Sequence, residues 1–257
     1  MIQGRGRVDL DYTQAQLERA GLSHAAVRLA ELVEEAAKQD LSSHRFLDRL
    51  LEVEIDEREE RRIKTSLRLS GLPPGQTLGN FDFAFQPSIK KSRIETLATC
   101  AWIRERATTL IAGPPGTGKT HIAVALGVKA IENGFSVAFY RLDDLLHAMK
   151  RDVELTPQSL RRKKYNKVSM LIIDEVGFQP MSREEASHFF RLVSYRYQRG
   201  STLITTNKAI KDWPEVLAGD EAMAAALLDR LLHHCHAFNI KKGRSYRLRD
   251  LERILKG

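Results

Sequence analysis

The chain of 257 residues contains only two cysteines, Cys100 and Cys235. Two isolated thiols build neither a disulfide framework nor a cysteine-based zinc pattern, which points to a reducing, cytoplasmic setting. No apolar run approaches the roughly 20 residues that cross a bilayer. The longest, such as SMLIID at 169–174, have the length of a strand. The opening MIQGRGRVDLDYT lacks the apolar centre of an export signal, and there is no internal repeat or low-complexity tract. These absences argue against membrane-spanning, exported, disulfide-stapled and solenoid classes and predict no membrane partner. What remains is an ordinary globular balance, 42% hydrophobic and 29% charged, long enough for one large domain or two unequal ones.

Charge is unevenly shared within the net +8. Residues 1–70 carry 12 Lys+Arg against 14 Asp+Glu, whereas residues 71–257 carry 29 against 19. A basic domain without a membrane anchor points to nucleic acid as the polyanionic partner, with solubility alone as the plainer reading.

The first 70 residues read as helical. Ser23 can cap HAAVRLAELVEEAAKQ, with Val27, Leu29, Leu32 and Val33 on its apolar side. A second helix starts near Ser42 or Ser43 and carries two apolar sets, Leu47, Leu51 and Ile55 in one and Phe46, Leu50 and Val53 in the other. Gly71 and Pro73-Pro74 end it, and GLPPGQTLGN at 71–80 reads as a linker to a domain over 81–257. Beyond Asn80 short apolar strands alternate with amphipathic helices. TTLIA (108–112), SVAFY (136–140), SMLII (169–173), STLITT (201–206) and HAFNI (236–240) are the candidate strands. Such alternation predicts an α/β fold, a parallel sheet covered by helices, preceded by a small all-helical domain.

Between the first strand and its helix stands GPPGTGKT: Gly113, Pro114, Pro115, Gly116, Thr117, Gly118, Lys119 and Thr120, followed by His121. It fits G-x-x-x-x-G-K-[ST], the loop whose backbone amides converge on phosphate oxygens where no Cβ intervenes. Lys119 is placed to reach the β- and γ-phosphates of ATP, and the Thr120 hydroxyl to ligate Mg²⁺. In SMLIIDE, four apolar residues end in Asp174 and Glu175 at the strand edge where open α/β sheets bind ligands. Asp174 would hold the metal shell and Glu175 would orient and polarise an attacking water. STLITTN ends in Asn207, whose amide could bridge that water and the γ-phosphate, although strand ends commonly carry polar turn residues.

The order strand–GxxxxGKT–helix, strand–DE, strand–TN resembles the AAA+ ATPases. Further along, RYQRGSTLITTNKAIKDWPEVLAGD, AAALLDRLLHH and GRSYRLRD, together with NFDFAF before the first strand, resemble the IstB-type helpers of insertion-sequence transposition, relatives of DnaC-type helicase loaders. The resemblance implies side-by-side assembly into a homo-oligomer on double-stranded DNA, with a transposase as partner. It also implies an arginine finger at Arg230 in LLDRLL and a second sensor at Arg247 in GRSYRLR. Gly257 follows Arg247 by about ten residues, which implies no full C-terminal helical lid. Residues 141–167 carry eight Lys+Arg against four Asp+Glu. By the same resemblance their run Arg161, Arg162, Lys163, Lys164 and Lys167 is expected on DNA phosphates, against the plainer reading of a solvated helix face. The tail 239–257, with seven Lys+Arg against two Asp+Glu, could add to the same surface. HHCH at 233–236 is not read as a metal site, because four consecutive ligand types cannot face one ion. A DnaC-like helicase loader and an ATP-glued structural coat on DNA stay open as alternatives.

Overall fold

Five parallel strands form one sheet in the order β2-β3-β4-β1-β5: β1 Thr108–Ala112, β2 Val137–Arg141, β3 Met170–Val176, β4 Ser201–Thr206 and β5 Cys235–Asn239. The computed structural model describes residues 3–240 with Ser245 and Tyr246, and side chains from Leu10 onward. Parallel strands are buried on both faces, so they need unbroken apolar runs. Met170, Leu171, Ile172 and Ile173 are fully buried accordingly.

The helices are α1 Gln3–Arg19, α2 Ser23–Lys38, α3 Ser43–Ser70, α4 Lys91–Ala98, α5 Ala101–Arg104, α6 Lys119–Glu132, α7 Leu142–Arg151, α8 Pro157–Arg162, α9 Lys164–Lys167, α10 Arg183–Arg196, α11 Trp213–Val216 and α12 Glu221–Leu232. Alternate residues of a strand face opposite sides. Leu171 and Ile173 join a core with residues of α7, α10 and α12. Ile172 points the other way, where a Cβ added to Gly127 of α6 would lie 2.9 Å from its Cδ1. Glycine there lets α6, with the phosphate loop at its head, pack close against the central strand.

Arg196 closes this core on the α10 side. It is 2% exposed and donates to the carbonyls of Tyr165, Asn166, Val168 and Ser201 and to the Thr202 hydroxyl. Burial lowers its pKa to about 10, which leaves it charged at neutral pH, and the converging acceptors satisfy its buried donors.

The chain divides into two compact units, Met1–Thr65 and Ser66–Gly257, so the division falls inside α3 rather than after it. Residues 71–80 belong to the second unit. Leu72 packs against α6, its Cδ2 2.9 Å from a Cβ added at Gly127, and the Thr77 carbonyl meets His121 Nε2 at 2.8 Å.

In the first unit the structure departs from two expectations. Of the two apolar sets on α3, Leu50 and Val53 are buried with Phe46 against them, whereas Leu47, Leu51 and Ile55 are exposed. Adjacent stripes on one helix cannot both face the same partner, and Ala25, Leu29 and Leu32 of α2 select the first. Val27 is exposed for the same reason. Ser23 is the first residue of α2 and makes no capping bond from Leu22 or itself. The cap comes from α3. Glu54, 2% exposed, accepts from the His24 and Ala25 amides at 2.8 and 2.9 Å and from Arg58 Nε.

Burial pushes the Glu54 carboxyl upward in pKa, but the two amides and Arg58 outweigh it and the net shift is downward. Its contribution is therefore complete above the ordinary carboxylate value of about 4.3 and lost as pH falls through the lowered native one. Glu54→Gln should destabilise the unit by about 1–3 kcal/mol near neutral pH, measured by denaturant unfolding. The deficit should shrink in acid; a pH-independent deficit would reject the carboxylate cap.

Candidate functional site

The carboxyl ends of β1, β3 and β4 border a cavity of about 450 Å³. β1 passes directly into the phosphate-loop motif. Gly113 lies so close to Ile240 that a Cβ would come within 2.7 Å of Ile240 Cβ. Gly116 and Gly118 take φ of +76° and +87°, the left-handed region that glycine enters without strain. The Thr117 hydroxyl donates to the Pro114 carbonyl at 2.8 Å, while buried Gln86 donates to the Thr117 carbonyl at 3.3 Å. Lys119 Nζ donates to the Pro114 carbonyl at 2.7 Å. Gly118 precedes α6 without a capping side chain, so the first-turn amides and the helix field are directed at the cavity.

Asp174, 3% exposed, receives the Thr120 hydroxyl at 3.0 and 3.1 Å and the Thr205 hydroxyl at 2.5 Å. The same Thr205 oxygen accepts the Glu175 amide at 3.0 Å. One threonine on β4 thus positions both acids of β3. The ladder between β3 and β4 slips between Ile173 and Val176, and Glu175 adopts φ +62°. That irregularity turns the Glu175 side chain to the cavity wall, where Arg141 Nη2 meets its carboxylate at 2.7 Å. Asn207 lines the same cavity just beyond β4.

An aromatic wall completes the pocket. The Phe81 ring packs on His121 and Tyr246 at centroid distances of 5.2 and 5.8 Å, and Phe85 on Tyr246 at 4.5 Å. Tyr246 donates its amide to the Gly116 carbonyl at 2.9 Å and its hydroxyl to the Asp82 carbonyl at 2.6 Å. Glycine at 118 is again required, since a Cβ would sit 2.6 Å from the Phe81 ring. The donors of the loop fit a polyphosphate, the Thr120–Asp174 oxygens fit a hard cation such as Mg²⁺, and the rings offer a nucleobase a stacking surface. In the sequence Phe81 and Asp82 stand out only within NFDFAF and Tyr246 only within GRSYRLRD, and nothing singles out Gln86 or Arg141. Thr205 stands within STLITTN with nothing local to mark its bridging role.

Arg230 stands elsewhere. It borders a second cavity of about 320 Å³ with Thr108, Gly200, Thr202 and His234, at the amino ends of β1 and β4. The length of β1, about 16 Å at 3.3 Å per residue, separates that end of the sheet from the phosphate loop. Arg230 cannot reach the site of its own chain. Arg247 lies outside the described residues.

The basic run is split by its surroundings. Arg161 and Arg162 at the end of α8 and Lys167 at the end of α9 are exposed. Lys163 pairs with Asp152 at 2.7 Å. Lys164 donates to the Leu69 carbonyl and lies 6.0 Å from the centroid of the Tyr140 ring; burial lowers its pKa.

A phosphate loop after β1, an acidic pair at the end of β3 and β4 inserted between those two strands define an ATP-binding P-loop protein of the AAA+ class. Domain III of the replication initiation protein DnaA from Thermotoga maritima shares the fold, with a TM-score of 0.54 and 19% identity over 72% of this chain and 77% of that one. The family described as IstB-like ATP binding protein matches residues 15–253, and the chain belongs to that family. A protein of Pseudomonas aeruginosa described as an ATP-binding protein of insertion sequence IS21 is 41% identical over 91% of this chain and 88% of its own length. The corresponding IS5376 protein of Geobacillus stearothermophilus is 38% identical over 90% and 92%. Among the described residues no helix is long and apolar enough to cross a membrane.

Proposed function

We propose that this chain is a Mg²⁺-dependent ATPase whose copies assemble on double-stranded DNA, each completing its neighbour's site, and that the assembly recruits or licenses a transposase. The observation that carries this reading is the placement of Arg230 at the far end of the sheet from its own phosphate loop. An arginine matching a family finger, yet out of reach in cis, serves a phosphate presented by another copy. The association of relatives with insertion sequences supports the transposase as partner.

Within the site, Lys119 and the loop amides hold the phosphates in line, and Asn207 holds the attacking water. Mg²⁺ held by Thr120 and Asp174 would draw negative charge from the phosphate oxygens. Glu175 takes the proton side of the water, which requires its carboxylate to leave Arg141. Arg230 from the adjoining copy stabilises the charge that grows on the γ-phosphate. ATP binding consolidates the assembly and hydrolysis releases or remodels it. The acidic first unit provides the docking surface for the transposase.

Arg161, Arg162 and Lys167 are exposed and, unlike the exposed Lys164 and the half-buried Lys163, are engaged by no acceptor among the described residues, and we assign the DNA phosphates to them. Replacing these three with alanine should weaken duplex binding at every sequence and lower the slope of log affinity against log salt by about one per lost contact. Fluorescence anisotropy across a salt series reads this directly. Lys163 and Lys164 are left intact in that test because they hold Asp152 and Leu69. An unchanged slope removes the segment from the DNA path.

A further inference from the structure

We infer that Phe190 is a positioning residue for Arg230, holding that guanidinium as a fixed but unneutralised cation for the phosphate of a second copy. This rests on the reading of Arg230 as a residue that acts between copies.

Several other arginines are satisfied within the chain. Arg58 pairs with Glu54, Arg62 with Glu59 and Arg141 with Glu175, while Arg196 is saturated by carbonyls and a hydroxyl. Arg230 is held by a ring and a carbonyl instead, as are Arg93 on Phe238 and the Ala237 carbonyl and Arg199 on Tyr195 and its carbonyl, but of these three it is Arg230 that lines the cavity at the amino ends of β1 and β4. It sits in the last turn of α12, half-buried, and donates through Nη1 to the Ala226 carbonyl at 2.6 Å. Its guanidinium carbon lies 5.1 Å from the centroid of the Phe190 ring on α10. Among the described residues no carboxylate comes within ion-pair distance of it.

The combination has a physical logic. A carboxylate would hold the side chain more firmly, but it would cancel the charge and compete with phosphate for the same donors. With no partner, the side chain would have to surrender its rotamer freedom when the phosphate arrives. An aromatic face attracts the cation without neutralising it, and the single carbonyl contact sets its direction. Most of the five guanidinium donors remain for the incoming anion. Phe190 packs on the core shared by α10 and α12, so the platform is rigid. The ring thereby ties finger geometry to α10, whose last residue, Arg196, lines the same cavity as Arg230 and is fixed by the Ser201 carbonyl.

The test uses the full chain with ATP, magnesium and duplex DNA. Phe190→Leu should lower kcat about tenfold with KM for ATP unchanged, and Phe190→Tyr, which keeps an aromatic face, should restore most of it. In an Arg230→Ala background, Phe190→Leu should cost nothing further, because the residue it positions is gone. A loss of similar size in that background, or a failure of tyrosine to restore turnover, marks Phe190 as a packing residue only and overturns the inference. Unchanged kcat in Phe190→Leu, with Arg230→Ala strongly impaired, overturns it too while leaving the role of Arg230 intact. Full activity of Arg230→Ala overturns the reading beneath both.

Discussion

Arg230→Ala is expected to reduce ATP turnover on DNA by on the order of a thousandfold, the lower range for removing an arginine that stabilises phosphoryl-transfer charge. ATP affinity of the isolated protomer should be unchanged, since Arg230 lies at the amino ends of β1 and β4 and touches none of the residues around the phosphate loop. The two effects separate an intersubunit role from a structural one. Steady-state turnover with and without duplex, beside equilibrium nucleotide binding at protomer concentrations too low for assembly, measures both. A variant that loses nucleotide affinity in proportion to turnover would place Arg230 in its own chain's site and contradict the geometry.

Glu175→Gln should have the other large effect, lowering turnover at least a hundredfold while ATP still binds. The backbone at Glu175 is fixed by its amide bond to Thr205, and Asp174 keeps both threonine hydroxyls, so the phosphate and cation positions survive the change. An amide of the same shape cannot accept the water proton. Complexes with DNA formed in ATP should therefore outlast those of the unmodified chain, and transposition should fail for lack of release. Filter-binding lifetimes and a transposition assay check the pair of outcomes. If transposition proceeds normally with hydrolysis abolished, ATP serves only as a glue between subunits, and the structural-coat reading replaces the enzymatic one.

Much of this was legible from sequence because it is local. The strands at 108–112 and 201–206 stand where their apolar runs and flanking turns predict them. The phosphate loop is eight consecutive residues whose glycines have a geometric reason, and Asp174 and Glu175 directly follow the apolar run Met170–Ile173 of β3. What sequence did not show is held by distant partners. Nothing near Thr205 says that it spans Asp174 and the Glu175 amide, and the aromatic wall joins Phe81 to Tyr246 across most of the chain. The sequence predicts Ser23 as the α2 cap because capping is normally local, but Glu54 supplies it to the Ala25 amide from 29 residues away. The run 161–164 reads as uniform charge, yet Lys163 is neutralised by Asp152 and Lys164, though exposed, is tied to the Leu69 carbonyl. Periodicity likewise left two apolar stripes on α3, and only packing against α2 selects between them.

The claim beneath all of this is that ATP is cleaved at a seam between two copies. Mixing Glu175→Gln chains with Arg230→Ala chains addresses it most directly, by turnover on duplex DNA. Each alone should be nearly inactive. In an equimolar assembly about a quarter of the seams pair an intact Glu175 with an intact Arg230 from the neighbour, because the contact is head-to-tail. Turnover should rise well above that of either parent, towards that fraction of the unmodified rate. A mixture no more active than its components, under conditions where both assemble, would show that Arg230 does not act across the seam.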